Sequence, residues 1–336
     1  MSNPTPHDAF AQAVFSDPAQ AAVIFRGVLP DALLRRLDLA RAELQPSLFT
    51  SDELTGRRAD FLFKVPLEHD DAYLLVLLEH QSTVDRLLAA RALVYAGRAL
   101  DRHLRLHPHA ERVPAVIPVV LFHGEGGWTA ATDLFELYAL PGDLAPLLRH
   151  VVPSLRLLID DLSATDDQRL RQRPGPVLAR LALIVMRHAH ALRTASDPRA
   201  VLHSLASSVA DLLQRVVERT GRTVVFRYML ELVELEPEEG EQVLVRALPA
   251  KVKEDVVTAA EKLRAQGRVE GRVEGKRTLL LALLETKFGP VAAEVEARVG
   301  RAEEGALDEW ARRVVTVETL DEVFATSDPG RAPSSA

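Results

Sequence analysis

Glu79, His80, Gln81 and Ser82 follow an unbroken apolar run at 73–78 in this chain of 336 residues. A run of that kind reads as a strand covered on both faces, and so as a central strand of its sheet. Strand alternation puts Glu79 and Gln81 on one face, about 7 Å apart along the chain, and turns His80 to the other. Upstream, 58–65 alternates as a second strand, with Asp60, Leu62 and Lys64 on one face and Ala59, Phe61, Phe63 and Val65 on the other. If the two pair as an antiparallel hairpin through the acidic loop 66–71, Asp60 can come beside Glu79, with the register deciding whether it does. Two carboxylates meeting at a sheet end near a backbone carbonyl make an all-oxygen site suited to Mg²⁺ or another hard cation. Such an ion can orient water and offset charge developing on a phosphate during in-line displacement. The plainer reading is that Asp60 and Glu79 are strand-end acids facing water or an arginine.

Other candidates surround this pair. Asp8 opens the first helix and either adds an acid to a metal site or simply favours the helix dipole. Arg91 and Tyr95, four apart on one helix face, could hold a phosphate or DNA backbone together, or form a buried structural pair. Lys64 lies roughly 13 Å along the strand from Asp60, too far to join the acids without a bend. His123 faces the same cleft or is satisfied by the glycine-rich turn 124–127. His103, His107 and His109 imitate a metal set, but Pro108 breaks the helix beside them and no carboxylate is suitably spaced.

These residues need a scaffold, and the composition supports one. Hydrophobic residues make up 47% and charged residues 26%, which fits a globular protein with a sizeable core. There is no cysteine, so disulfides and thiolate zinc sites are excluded. No apolar stretch reaches the ~18 residues that span a bilayer, so the expectation is a cytoplasmic protein with no membrane partner. The net charge of −7 counts against a protein that coats nucleic acid. Residues 1–150 hold 14 Lys or Arg against 19 Asp or Glu, and the remainder 27 against 29, so any phosphate contact must be local.

Helical spacing marks 8–15, 19–28 and 32–39, then 83–106 after the two strands. Residues 113–122 read as a third strand, in which Pro114 and Pro118 suit an edge or a position where their nitrogens face no partner. A fourth strand is expected at 152–159. The order is that of a mixed α/β core with one βαβ crossover. Beyond 174–176 the pattern is nearly all helical, at 177–192, 198–220 and 224–236. The repeat GRVEGRVEG at 267–275 aligns Gly267, Gly271 and Gly275 and reads either as a linker or as a helix whose glycine row admits a second helix, hence a homo-oligomer through 266–275.

Five stretches then carry a resemblance. HDAFAQAVF at 7–15, RRADFLFKV at 57–65, LLEHQS at 77–82, RALVY at 91–95 and VIPVVLFHGEGGW at 116–128 occur in the order found in the recombination-promoting nuclease family, also described as transposases. The resemblance covers about residues 7–235. It implies a divergent PD-(D/E)XK endonuclease: a small mixed β-sheet flanked by helices, restriction-endonuclease-like, followed by a mostly α-helical C-terminal half. It further implies that Asp60 and Glu79 bind Mg²⁺ or another divalent cation, that Gln81 stands where most of the wider superfamily has lysine, and that DNA is the substrate. A glutamine amide orients water and donates a neutral hydrogen bond but supplies no cation. The expected organisation is a nuclease-like core at 7–160, a helical region at 174–265, the Gly-rich repeat at 266–277, a small helical domain at 278–326 with Trp310, Leu320 and Phe324 in its core, and a disordered tail at 327–336. The expected function is metal-dependent DNA cleavage linked to recombination or mobile DNA. Its rival is a catalytically weak DNA-binding or self-assembling protein that keeps the nuclease fold.

Overall fold

The computed structural model describes residues 5–46, 61–68 and 72–325. Two compact units divide the chain, 1–260 and 261–336. In the first, helices α1 (Pro6–Phe15), α2 (Pro18–Val28) and the single turn α3 (Asp31–Leu34) precede the strands. Both long helices begin with proline behind a capping residue. Thr5 caps α1 and Asp17 caps α2, each accepting a backbone N–H that no helical carbonyl can reach.

A five-stranded sheet follows in the order β1 (Glu43–Leu44), β2 (Phe61–Pro66), β3 (Tyr73–Gln81), β4 (Ala115–Phe122) and β5 (Leu158–Asp161). β1, β2 and β3 pair antiparallel, whereas β3–β4 and β4–β5 pair parallel. The parallel β3–β4 pair requires a crossover, supplied by α4 (Leu88–Leu106), which packs on both strands. β3 is central, as its apolar run predicts, and it continues through Glu79, His80 and Gln81.

Of the two placements open to 113–122, the second parallel pair rules out the edge. β4 is internal, but β5 covers only Val119–Phe122, so Pro114 and Pro118 precede the paired stretch. The fourth strand likewise begins later than its pattern suggests. Leu157 donates to Thr132 and Leu134 to Leu155, so the backbone before 158 is satisfied by the segment at 132–134 instead of the sheet. A single turn, α5 (Ala145–Leu148), lies within this excursion.

One face of the sheet buries Leu62, Leu75, Leu77 and Val120 against Leu88, Ala89, Ala92, Tyr95 and Ala99 of α4. The later chain adds helices α6 (Asp167–Gln172), α7 (Val177–Arg187), α8 (Ala189–Thr194), α9 (Pro198–Ser208), α10 (Ala210–Arg215), α11 (Arg219–Leu232) and α12 (Pro237–Ala247), which pack on one another. α1 contacts both α7 and α11, and α2 contacts α7, β4 and β5, so the helical region and the sheet form one unit. A buried bidentate pair ties them, Arg173 donating to Asp160 of β5 at 2.5 and 2.7 Å.

Helix α13 (Ala250–Phe288) contains the whole GRVE repeat, so 266–277 is helical. Gly289 stops it with a left-handed φ of 82°. In the second unit α13 is followed by α14 (Ala293–Gly300), α15 (Glu304–Thr316) and α16 (Leu320–Phe324). Leu280, Leu284, Val299, Leu307, Val314, Val323 and Phe324 form its core, with Trp310 and Leu320 packed at the edge. Lys276 bridges Glu304 and Asp308 at 2.8 and 2.7 Å.

Candidate active site

Alternation along β3 sorts its last three residues. Glu79 and Gln81 continue the side of Leu75 and Leu77, which faces α4, whereas His80 continues the side of Val76 and Leu78. Glu79 is 4% exposed. A carboxylate is seldom buried so deeply without function or compensation. The β2–β3 register pairs Phe61 with Leu78. Asp60 lies outside the described residues; it is the covalent neighbour of Phe61, as Glu79 is of Leu78. Lys64, on β2, pairs with Leu75 and sets its Nζ 4.5 Å from the centre of the Tyr73 ring, away from Glu79 along the sheet.

The turn after β4 closes against this strand end. His123 donates its backbone N–H to the Gln81 carbonyl at 3.0 Å. At Gly124 a Cβ would stand 2.4 Å from the Ser82 carbonyl oxygen, so only glycine permits this approach. Gly126 and Gly127 take φ of 77° and 80°, the left-handed region that glycine enters freely. The Asp161 carboxylate accepts from the backbone N–H of Trp128 at 2.8 Å and fixes the end of the turn.

Arg91 and Tyr95 lie on α4, the helix packed over the Glu79 face. Arg91 pairs with Asp85 at 2.6 Å. The Tyr95 ring, 4% exposed, belongs to the core beneath α4. His103 bonds the Tyr73 hydroxyl at 2.8 Å and so ties α4 to the start of β3.

Asp8 and His123 lie with His80, on the side of β3 away from Glu79. Asp8 completes a capping box, accepting the Thr5 N–H at 2.9 Å while its own N–H donates to the Thr5 hydroxyl at 3.2 Å. Its other oxygen lies 3.1 Å from His80 Nε2. These bonds hold the Asp8 carboxyl well below the usual carboxylate range, the His80 bond contributing most. The His123 ring packs on His80 in parallel, with centroids 6.2 Å apart, and on His7 at 4.8 Å. It therefore turns away from the Glu79 face, and its ring is held by neither of the partners expected for it. His7 shares a 2.7 Å hydrogen bond with the Tyr228 hydroxyl of α11, and Tyr228 stacks on Phe10.

Burial dominates the chemistry of this cluster. It lowers His7 to about 4, with Arg193 and His80 acting in the same direction, and lowers His123 to about 3, aided by His7 and His80. Both rings are neutral near neutral pH. Burial raises the Tyr228 hydroxyl. Sequence reading missed His7 and Tyr228; the only local signal was T-x-x-D at 5–8, which marks a helix start.

Glu79 and Gln81 offer a carboxylate and an amide oxygen from one strand face, and this donor chemistry suits a hard cation. Among the described residues no group of three or more His, Cys, Asp or Glu is arranged to hold a metal ion. Also among them, no helix is long and apolar enough to cross a membrane.

Comparison with known proteins gives relatives over most of the chain. "Recombination-promoting nuclease RpnA" of Escherichia coli (strain K12) is 26% identical over 301 residues, 89% of this chain and 95% of that one. "Inactive recombination-promoting nuclease-like protein RpnE" of the same strain is 27% identical over 291 residues, covering 84% and 91%. "Recombination-promoting nuclease RpnC", again of that strain, is 29% identical over 175 residues, covering 52% and 56%. No solved structure matches significantly. A family model described as "Putative transposase, YhgA-like" matches residues 5–218, more than half of the chain, and this protein belongs to that family.

Proposed function

We propose that this chain is a nuclease associated with recombination or mobile DNA, acting as a divalent-metal-dependent endonuclease with a PD-(D/E)XK type of site. The observation that carries the reading is Glu79, a carboxylate buried at the C-terminal end of the central strand, in a chain akin to curated recombination-promoting nucleases. Asp60 and Glu79 would hold Mg²⁺ or a similar cation. The bound ion would supply Lewis-acid activation of water and offset negative charge on the scissile phosphate. Gln81, on the same strand face as Glu79, would orient the attacking water through its amide. The bond from His123 N–H to the Gln81 carbonyl fixes the strand end from which it projects.

A second reading has its own support. RpnE, similar over 91% of its length, is named inactive, and Gln81 brings no cation to the phosphate. On that reading the protein binds DNA or assembles without efficient cleavage. One assay separates the two: supercoiled plasmid incubated with Mg²⁺ or Mn²⁺ and with wild type, Asp60→Ala or Glu79→Ala. The endonuclease reading expects nicking by wild type and at least a hundredfold less by either variant, in line with the loss on removing a group that stabilises transition-state charge. Equal nicking by all three refutes the assignment of the acids. Intact plasmid throughout, with DNA still bound, establishes the second reading. Calorimetric titration of Mn²⁺ reads the same two acids independently of turnover.

A further inference from the structure

We propose that Arg91, Arg98, Arg102 and Arg105 of α4 form a track for the phosphate backbone of duplex DNA, leading away from Glu79. The choice of DNA as the polyanion rests on the endonuclease reading; the track itself rests on the helix. In a chain of net charge −7, α4 carries these four arginines against a single acid, Asp101, a net +3 from four minus one. At 3.6 residues per turn, positions i, i+7, i+11 and i+14 fall within about 60° of arc, so the four charges line one flank. That flank lies beside the stripe of Leu88, Ala92, Tyr95 and Ala99 that packs on the sheet.

The rise along a helix separates Arg91 from Arg105 by about 21 Å, the length of about six base steps at 3.4 Å each. The direction of the track is fixed by the fold. α4 follows the end of β3, and His103 near its other end bonds Tyr73 at the start of β3, so Arg91 lies at the Glu79 end and Arg105 at the far end. The helix also covers the sheet face to which Glu79 belongs.

The arginines have partners within the chain, and those of Arg102 and Arg105 are exposed. Arg105 pairs with Asp101 at 2.9 Å, both well exposed, and Arg102 donates to the Pro46 carbonyl at 2.8 Å. Exposed ion pairs contribute little, and a guanidinium keeps further donors for a phosphate while holding one partner. Arg91 keeps Asp85 at the site end.

The test is fluorescence anisotropy of the full chain on a labelled duplex in EDTA, across a salt series. Three chains are compared with wild type: Arg98→Gln/Arg102→Gln/Arg105→Gln, the same positions changed to Lys, and a remote control, Arg246→Gln/Arg301→Gln/Arg312→Gln, at exposed positions. Each phosphate contact contributes about −0.9 to the slope of log K against log salt, so the first triple should flatten the slope by about 2.7. Equivalently, raising salt from about 50 to 200 mM should weaken wild type about fortyfold more than that triple. The Lys triple and the remote control should keep the wild-type slope, and thermal melting checks that all four chains fold. An unchanged slope in the Gln triple, equal flattening in the remote control, a lost slope in the Lys triple, or no duplex binding by wild type each overturns the track. Nicking by the same preparations in Mg²⁺ is read separately. Binding with full slope but no cleavage sinks the endonuclease reading alone, and cleavage with an unaltered slope in the Gln triple sinks the track alone.

Discussion

Two buried neutral histidines should make the first unit sensitive to mild acid. His7 and His123 are 7% and 3% exposed, and burial holds them at about 4 and about 3 against an ordinary 6.5. Below pH 6.5 the unfolded chain takes up protons that these rings refuse in the folded state, so stability falls with pH from about 6.5 until each ring charges. At about pH 5 an unfolded imidazole is almost fully protonated and the folded rings are still neutral. The linkage then costs about 2 kcal/mol per ring relative to pH 8, about 4 for both. For a unit of this size that is a fall in melting temperature of roughly 10 °C. Asp8 does not offset it, because its depressed carboxyl is ionised in both states throughout this window; the stability it contributes is constant there and is lost only as pH falls below about 4. Of the groups around the rings, Arg193 and His80 oppose charging of His7, His7 and His80 oppose that of His123, and Asp8 favours both weakly. The assay is thermal or urea unfolding of wild type and His123→Leu at pH 8 and pH 5. The variant removes one titrating ring and leaves the other ten histidines, so its acid loss should be smaller by about 2 kcal/mol. A loss equal to that of wild type would refute the claim that His123 is buried in its neutral form.

Three further outcomes follow from the geometry. Gln81→Lys should raise single-turnover nicking on the order of tenfold if Gln81 stands beside the attacking water, because lysine adds a cation there; a rate unchanged or lowered to that of Glu79→Ala removes Gln81 from the site. Asp160→Asn should destabilise by about 3–5 kcal/mol in urea titrations, because it strands Arg173, only 11% exposed, without its counter-charge; a change within 1 kcal/mol contradicts the burial of the pair. Gly267, Gly271 and Gly275 face open space, since a Cβ at any of them meets nothing within 4 Å. We propose that this row is a seam between copies of the chain: changing all three to Ala should strengthen the helix by about 1 kcal/mol each yet lower the mass seen by light scattering, and a mass that does not change rules out the seam.

The part of the site that depends on alternation was legible in the residues alone. An all-apolar run ending in E-H-Q specifies a central strand and puts Glu79 and Gln81 on one face with His80 on the other, and β3 follows that pattern. The β2–β3 pairing follows from two alternating strands joined by a short loop, and its register is set by which apolar faces must be buried together. Contacts between distant segments were not legible. His7, His80, His123 and Tyr228 come from four separate elements, and nothing local in any of them announces the others. The position of His123 was nonetheless implied by parity: β4 pairs in parallel with β3, His80 opposite Leu121, so His123 two residues on shares the His80 side. The late start of β5 had no such signal, because the competing partner of 155–157 is a turn at 132–134 with no strand pattern. Tyr95 shows a limit of a different kind. A tyrosine ring fills a core as well as a leucine does, and helical spacing cannot distinguish the two uses.

The two sides of β3 divide the labour at its end. A strand cannot turn one residue over without moving every neighbour to the wrong face, so groups on opposite sides stay separate as long as the register holds. Asp8 would have to leave both the Thr5 cap and His80 to reach the Glu79 side, giving up bonds that already hold it ionised. Its present contacts make it an anchor: α1, through Asp8 and His7, grips β3 and α11 from behind, while the His123 backbone holds Gln81 in the strand. A ligand to an ion at Glu79 is therefore to be sought among side chains on the α4 face of the sheet. Asp8, held on the His80 side by its bonds to Thr5 and His80, does not meet that condition.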